Sequence, residues 1–270
     1  GKALYNSADA SLLLFEAVNK YLEYTGNYDF VKNNLYAQMK SIINYYIDGI
    51  TLDGNNIYLD EKDYLIVSGT DKTQNTWMDA KVNNIPVTPR NGKAVEINAL
   101  WYNALRIMQK LNLKWNHIAG QVEYAYLANK CRKSFIKDFY NPNKKCLYDV
   151  IKEVKKENPK APTIDNRYSF IQVEKDDKVR PNQLFSLSLS YPVIDCKTEI
   201  ARNILITTTQ KLLNKYGLRT LAKGEPGYIG VYEGGPAKRD SSYHQGPTWP
   251  WLFGLYYNAM KNVISFRGDL

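Results

Sequence analysis

The chain has 270 residues, enough for one large domain or two small ones, and its 44% hydrophobic content supports a sizeable core. Its 36 Lys and Arg against 27 Asp and Glu leave a net charge of +9, but the lysines are scattered and acids interrupt the densest run, Lys152 to Lys160. This argues for a solvated surface and against nucleic acid, and no stretch approaches the roughly 20 apolar residues of a membrane span.

The pattern predicts a first helix over Ala8 to Tyr24, with Leu12, Phe15, Val18 and Leu22 on one face. Asp9 or Ser7 caps its start and Gly26 ends it. A second helix is expected from Tyr28 to Ile47. Residues 48–93 then carry Asp53-Gly54, a hairpin formed by Asn56–Leu59 and Tyr64–Val67, and a long polar loop holding Trp77 and Asp79. A third helix starts near Val95, and a fourth covers His117 to Phe139, broken by Asn141-Pro142-Asn143. Cys146–Val150 reads as a short strand, and 151–179 as a charged, proline-broken surface excursion. Helices are expected from Pro181 to Ser190 and from Glu199 to Lys215. A second long loop spans 218–248, and a last helix covers Trp249 to Ile264. Paired helices with long rims on alternate connections fit an all-α toroid with small β-hairpins in its loops.

Two segments concentrate aromatic and hydrogen-bonding groups: Thr76-Trp77-Met78-Asp79-Ala80 and Tyr243-His244-Gln245-Gly246-Pro247-Thr248-Trp249-Pro250-Trp251. Aromatic faces beside carboxylates and amides suit a sugar, whose rings stack on one face and bond through hydroxyls. Other chemistries lack their groups. Only His117 and His244 exist, and Cys131, Cys146 and Cys196 show no metal spacing; their odd number suggests free thiols in a reducing compartment, hence the cytoplasm. No Gly-x-Ser-x-Gly elbow occurs, and the glycines of 224–235 lack the Gly-Lys-Ser/Thr ending of a phosphate loop.

The segments Thr76-Trp77-Met78-Asp79-Ala80-Lys81 and Thr88-Pro89-Arg90-Asn91-Gly92-Lys93-Ala94-Val95-Glu96-Ile97-Asn98-Ala99-Leu100-Trp101 resemble the amylo-α-1,6-glucosidase domain of glycogen debranching enzymes. The resemblance begins near Tyr5-Asn6-Ser7-Ala8-Asp9-Ala10. It continues through Arg180-Pro181-Asn182-Gln183, Gly217-Leu218-Arg219, Gly230-Val231-Tyr232-Glu233-Gly234 and Tyr243-His244-Gln245-Gly246. It implies an (α/α)6 toroid related to glucoamylases that removes α-1,6-linked glucose with inversion. It also implies one catalytic domain over 1–270, lacking its first helix pairs: about eight helices are legible where the toroid has twelve. An incomplete toroid exposes apolar helix faces, and so invites a homodimer. An α-glucan is the expected partner, and no metal or organic cofactor is needed.

Inversion requires a protonated general acid and a carboxylate base roughly 6.5–9.5 Å apart. The resemblance assigns the acid to Asp79, where partial desolvation would keep it protonated. In eukaryotic members a Glu follows His-Gln-Gly-Pro; Thr248 stands there and cannot act as a base. The nearest carboxylates are Glu233 and Asp240, both in the preceding loop, and the resemblance of Tyr232-Glu233-Gly234 to the motif of the prokaryotic members implies Glu233 as the base. Asp9 contacts the terminal glucose or caps its helix. Glu96 and Asn98 bond hydroxyls, or Glu96 favours its helix N-terminus. Arg90 and Arg180 are donor forks for a carboxylate or hydroxyls. Gln183, His244 and Gln245 are placed in the cleft. Trp77 and Trp249 are expected to stack on glucose, and Trp101 and Trp251 to lie in the core. The alternatives are a related toroid glycosidase acting on trehalose or malto-oligosaccharides, and an inactive carbohydrate-binding fragment.

Overall fold

The computed structural model describes residues 7–52, 55–157 and 169–265. The Tyr5-Asn6 start of the motif, the Asp53-Gly54 turn and the stretch 158–168 lie outside the described residues. Among those described there are nine helices and five small sheets, and no closed barrel.

Helix α1 (Ala10–Thr25) buries Leu12, Phe15, Val18 and Leu22, as its periodicity predicts. Ser7 Oγ accepts from the Ala10 N–H at 3.0 Å, while Asp9 makes no side-chain cap. Gly26 ends the helix at φ 63°, a left-handed C-cap that glycine adopts without a Cβ penalty. The expected helix over 28–47 divides into α2 (Tyr28–Asn34) and α3 (Tyr36–Asp48). Asn33 and Asn34 are weak helix formers at the break, and the Asn34 amide donates to the Phe30 carbonyl.

Strands β1 (Ile50–Leu52), β2 (Asn55–Asp60) and β3 (Leu65–Ser68) form an antiparallel meander that contains the expected hairpin, with Ile57 opposite Ser68. The following loop is pinched by a hairpin of β4 (Lys81–Val82) and β5 (Ile85–Pro86). Its two-residue turn, Asn83-Asn84, has φ 50° and 61°, the signature of a primed turn. Strand β6 (Lys93–Ala94) leads into α4 (Val95–Lys114). Every residue of α4 from Val95 to Leu105 is buried, so this helix is central. It packs against α1 and against α5 (Ile118–Phe139).

After β7 (Tyr140–Asn141) and β8 (Cys146–Leu147), the expected surface excursion is a long hairpin. Strands β9 (Val150–Glu157) and β10 (Ser169–Asp176) pair antiparallel, and β9 also pairs with β6. Glu174 bridges across it to Lys156 at 2.9 Å and Lys152 at 3.6 Å. A 3-10 turn (Pro181–Leu184) and the short α6 (Phe185–Ser188) replace the longer helix expected there. Helix α7 (Glu199–Leu212) is capped by the Thr198 side chain. Strands β11 (Leu213–Asn214), β12 (Gly217–Arg219) and β13 (Thr248–Trp249) gather the two ends of the second long loop. That loop is not structureless: α8 (Pro236–Ser242) lies in it and packs on β4, beside the Asp79 loop. Helix α9 (Leu252–Ile264) begins later than expected, because Trp249 is in β13, and it packs on α6 and α7.

Most of the buried apolar side chains form one connected cluster. Trp101 lies within it, stacked on Tyr46 with centroids 5.9 Å apart. Among the described residues no helix is long and apolar enough to cross a membrane.

Candidate active site

The site is built on the buried end of α4. Arg90 approaches along the loop before β6 and is almost wholly enclosed. Its Nη2 donates to Glu96 Oε2 at 2.6 Å, and Nη1 donates to Glu96 Oε1, so the pair is bidentate. Its Nε donates to Asp149 Oδ2 at 2.7 Å, Nη2 to Asp149 Oδ1 at 3.1 Å, and Nη1 to Thr76 Oγ1 at 3.1 Å. Burial works against the Arg90 charge, but Asp149 and Glu96 outweigh it and raise its pKa. Burial pushes Glu96 up, with Arg90 pulling the other way. Arg90 is thus a fork that orients carboxylates inside the protein, with its donors already engaged.

Above this floor lies a cavity of about 270 Å³ lined by Asp9, Leu13, Trp77, Glu96, Leu100, Phe185, Trp251 and Leu255. Trp77 stands edge-on to Trp251, centroids 4.9 Å apart, and edge-on to His244 at 5.2 Å. Its indole N–H donates to Asn182 Oδ1 at 2.8 Å. Trp251 is 50% exposed and forms part of this aromatic wall, so it is not a core residue. It is the residue before α9 and follows the exposed Pro250. Asp9 is brought to the cavity because the Ala8 N–H donates to the Asn75 carbonyl at 2.7 Å, which ties the start of α1 to the Trp77 loop.

Asp79 is exposed two residues beyond Trp77. Desolvation by the surrounding loop raises its carboxyl pKa; its own backbone N–H opposes this, and the Asp9 charge adds to the rise. A carboxyl shifted in this direction, beside an aromatic cavity, can hold a proton for donation.

The second motif closes the site. Arg180 is buried; its Nη1 donates to the His244 carbonyl at 2.6 Å and its Nη2 to Gln245 Oε1 at 3.0 Å. Gln245 donates to Thr88 Oγ1 at 3.0 Å, joining the two long loops. Gly246, at φ 137°, lies where a Cβ would stand 2.7 Å from the Ile229 carbonyl and the Tyr228 ring, so only glycine fits the motif there. Burial, with Arg180 and Arg90 nearby, depresses His244 to about 3, so its ring is neutral. Trp249 packs against Tyr243 at 4.6 Å and Tyr232 at 5.6 Å, and its N–H donates to the Tyr243 carbonyl at 2.9 Å. The rings of Tyr232, Tyr243, His244 and Trp77 form a continuous row.

The remaining expected site residues lie as follows. Asn98 clamps β3 to α4: its Oδ1 accepts from the Ile66 N–H at 2.6 Å, and its amide donates to the carbonyls of Ile66 and Ala94. Gln183 accepts from the Leu147 N–H at 3.2 Å and donates to the Arg180 carbonyl at 3.0 Å. Glu233 lies ahead of α8, with its side chain 62% exposed and paired to Lys238 at 3.1 Å. Trp115, unplaced by the sequence, packs edge-on to Tyr36 at 5.0 Å, away from the cavity lining. Asp149 and Asn182 were not singled out by sequence reasoning. The signal for Asp149 was an acid within the run Leu147-Tyr148-Asp149-Val150-Ile151, since a charge among apolar residues is buried only with partners.

A family model described as amylo-alpha-1,6-glucosidase matches residues 1–267. A glycogen debranching enzyme of Saccharomyces cerevisiae is 27% identical over 230 residues, covering 76% of this chain and 15% of that enzyme. A solved structure titled sialidase superposes with TM-score 0.61 at 12% identity over 98% of this chain and 20% of its own, a likeness of fold. The chain therefore matches about 15% of the curated relative's length.

Proposed function

Because the chain belongs to the amylo-alpha-1,6-glucosidase family, we propose that it hydrolyses α-1,6-glucosidic branch stubs of an α-glucan with inversion. The observation that carries this reading is the cavity itself. Trp77 and Trp251 form one wall, Asp9 lines the cavity and offers an acceptor for hydroxyls, and Asp79, two residues beyond Trp77, carries a raised pKa. A terminal glucose stacks on Trp77 and Trp251, with a hydroxyl toward Asp9. Asp79 donates its proton to the leaving O6 as the C1–O6 bond breaks. Water attacks C1 from the opposite face and loses its proton to Glu233, giving β-glucose and a debranched chain.

Glu233 is presented by the loop whose Tyr232 ends the aromatic row, and Asp240 follows in α8. The base role requires Glu233 to exchange Lys238 for the attacking water. The reading takes 1–270 as one catalytic domain of the α/α-toroid kind. Exposed Phe253 and Tyr257, one turn apart on α9, support burial of that helix face against a second copy. The three free, buried cysteines fit a reducing, cytoplasmic setting.

The test feeds a dextrin bearing single α-1,6-linked glucosyl stubs to the chain and to Asp79→Asn. Glucose release by the former, reduced at least about a hundredfold in the latter, is expected. Equal release by both would remove Asp79 from the mechanism.

A further inference from the structure

We propose that Asp149 is the positioning residue of this cleft: through Asn182 it fixes the Trp77 indole, and through Arg90 it fixes the Glu96 carboxylate. The proposal rests on the reading that the cavity takes a sugar. It adds a residue to which neither the motifs nor the relatives assign a role.

Asp149 sits in the turn between β8 and β9, and its backbone is clamped on both sides. Its N–H donates to the Asp176 carbonyl at 2.8 Å, and its carbonyl accepts from the Val95 N–H at 3.0 Å, at the start of α4. Its carboxylate therefore has a fixed origin. Oδ1 accepts from Asn182 Nδ2 at 2.8 Å and Oδ2 accepts from Arg90 Nε at 2.7 Å. Arg180 Nε stands 3.7 Å from Oδ2.

The hydrogen-bonding types leave one arrangement. An ionised carboxylate only accepts and an indole N–H only donates. Asn182 lies between them, so its NH2 must face Asp149 and its carbonyl must face Trp77. Both bonds are present, at 2.8 Å each. The other arm works the same way. Asp149 takes the Nε–Nη2 edge of Arg90 and leaves one N–H of each terminal nitrogen to grip Glu96. One buried carboxylate thereby sets the Trp77 wall of the cavity and the Glu96 side chain packed behind its lining.

An amide at position 149 breaks this logic. If its NH2 faces Asn182, the Asn182 amide turns over and presents an NH2 to the indole N–H. If its NH2 faces Arg90, two donors meet beside a buried guanidinium. Either way a buried donor loses its acceptor. Converting Asn182 to Asp in the same chain restores the pattern, because the new carboxylate accepts from both the amide at position 149 and the Trp77 indole.

The experiment compares the wild type, Asp149→Asn, Asn182→Ala and the double variant Asp149→Asn/Asn182→Asp. It records the 15N–1H resonances of the tryptophan indoles, with Trp77 assigned by Trp77→Phe, and the affinity for isomaltose by calorimetry. In Asp149→Asn the Trp77 resonance moves while that of core Trp101 stays, and affinity falls at least about tenfold. The double variant recovers both, which a merely structural role for Asp149 does not predict. A folded Asp149→Asn with an unmoved Trp77 resonance and unchanged affinity overturns the proposal. If that variant does not fold, an unmoved Trp77 resonance in Asn182→Ala overturns it instead. A wild type that binds no isomaltose refutes the sugar reading, and the Trp77 resonances still decide whether Asp149 holds the indole.

Discussion

Replacing Arg90 by Met removes the cation shared by Glu96 and Asp149 while keeping a side chain of similar length. Both carboxylates are enclosed, with side chains 0% and 2% exposed. Breaking a buried ion pair from one side costs about 3–5 kcal/mol, because the charge left behind has neither water nor partner. At about 2–4 °C per kcal/mol for a chain of this size, the melting temperature drops by about 6–20 °C. The loss also depends on pH. Burial already raises Glu96 above its ordinary 4.5, and without Arg90 that opposing pull is gone. Between the unfolded pKa and the raised folded one, the folded variant holds a proton that the unfolded chain has released. Stability then falls as pH rises across that window. The deficit relative to wild type, measured by urea unfolding, is therefore larger at pH 8 than at pH 5. A deficit below about 1 kcal/mol, or one larger at pH 5, would refute the reasoning that Arg90 neutralises buried carboxylates.

Three further perturbations test other parts of the account. Asn98→Ala leaves the Ile66 N–H and carbonyl, both inside the core, without their partners, and should cost at least about 2 kcal/mol; a urea midpoint within error of wild type would contradict this. His244 has a folded pKa near 3 against an ordinary 6.5, so the unfolded state binds the extra proton and stability is lost as pH falls through that range. His244→Asn should flatten this part of the pH–stability curve, and an unchanged slope would show that other groups set it. Glu233→Gln should slow hydrolysis at least about a hundredfold with isomaltose binding intact; near-normal turnover would move the base to Asp240.

Much of the fold was legible where one helix face alone decides burial. The stripe Leu12, Phe15, Val18 and Leu22 marks α1, and Gly26 marks its end. Helix α4 was legible for the same reason, although nothing local shows that its polar Glu96, Asn98 and Asn103 are buried too. The β9–β10 hairpin was hidden, because Lys152 and Lys156 find their partner Glu174 across a loop, and a single strand does not reveal its pair. The break at Leu35 was local, yet the apolar spacing runs through it unchanged. At the site, the aromatic motifs meet at the cavity, but residue type alone does not show which donors are already engaged. Arg90 read as a fork for a carboxylate or hydroxyls, and it is Asp149, 59 positions away, that takes its Nε; Asn98 read as a hydroxyl partner, and its Oδ1 accepts from Ile66, 32 away. Trp251 was assigned to the core, whereas it lies half exposed beside Trp77.

The most direct test of the central claim is the anomer of the first glucose released from a dextrin bearing single α-1,6-linked glucosyl stubs, followed by 1H NMR before mutarotation. An inverting α-1,6-glucosidase gives β-glucose first, and that is the predicted result. Initial α-glucose would mean retention, and would contradict the assignment of Asp79 as acid with a separate carboxylate holding the attacking water.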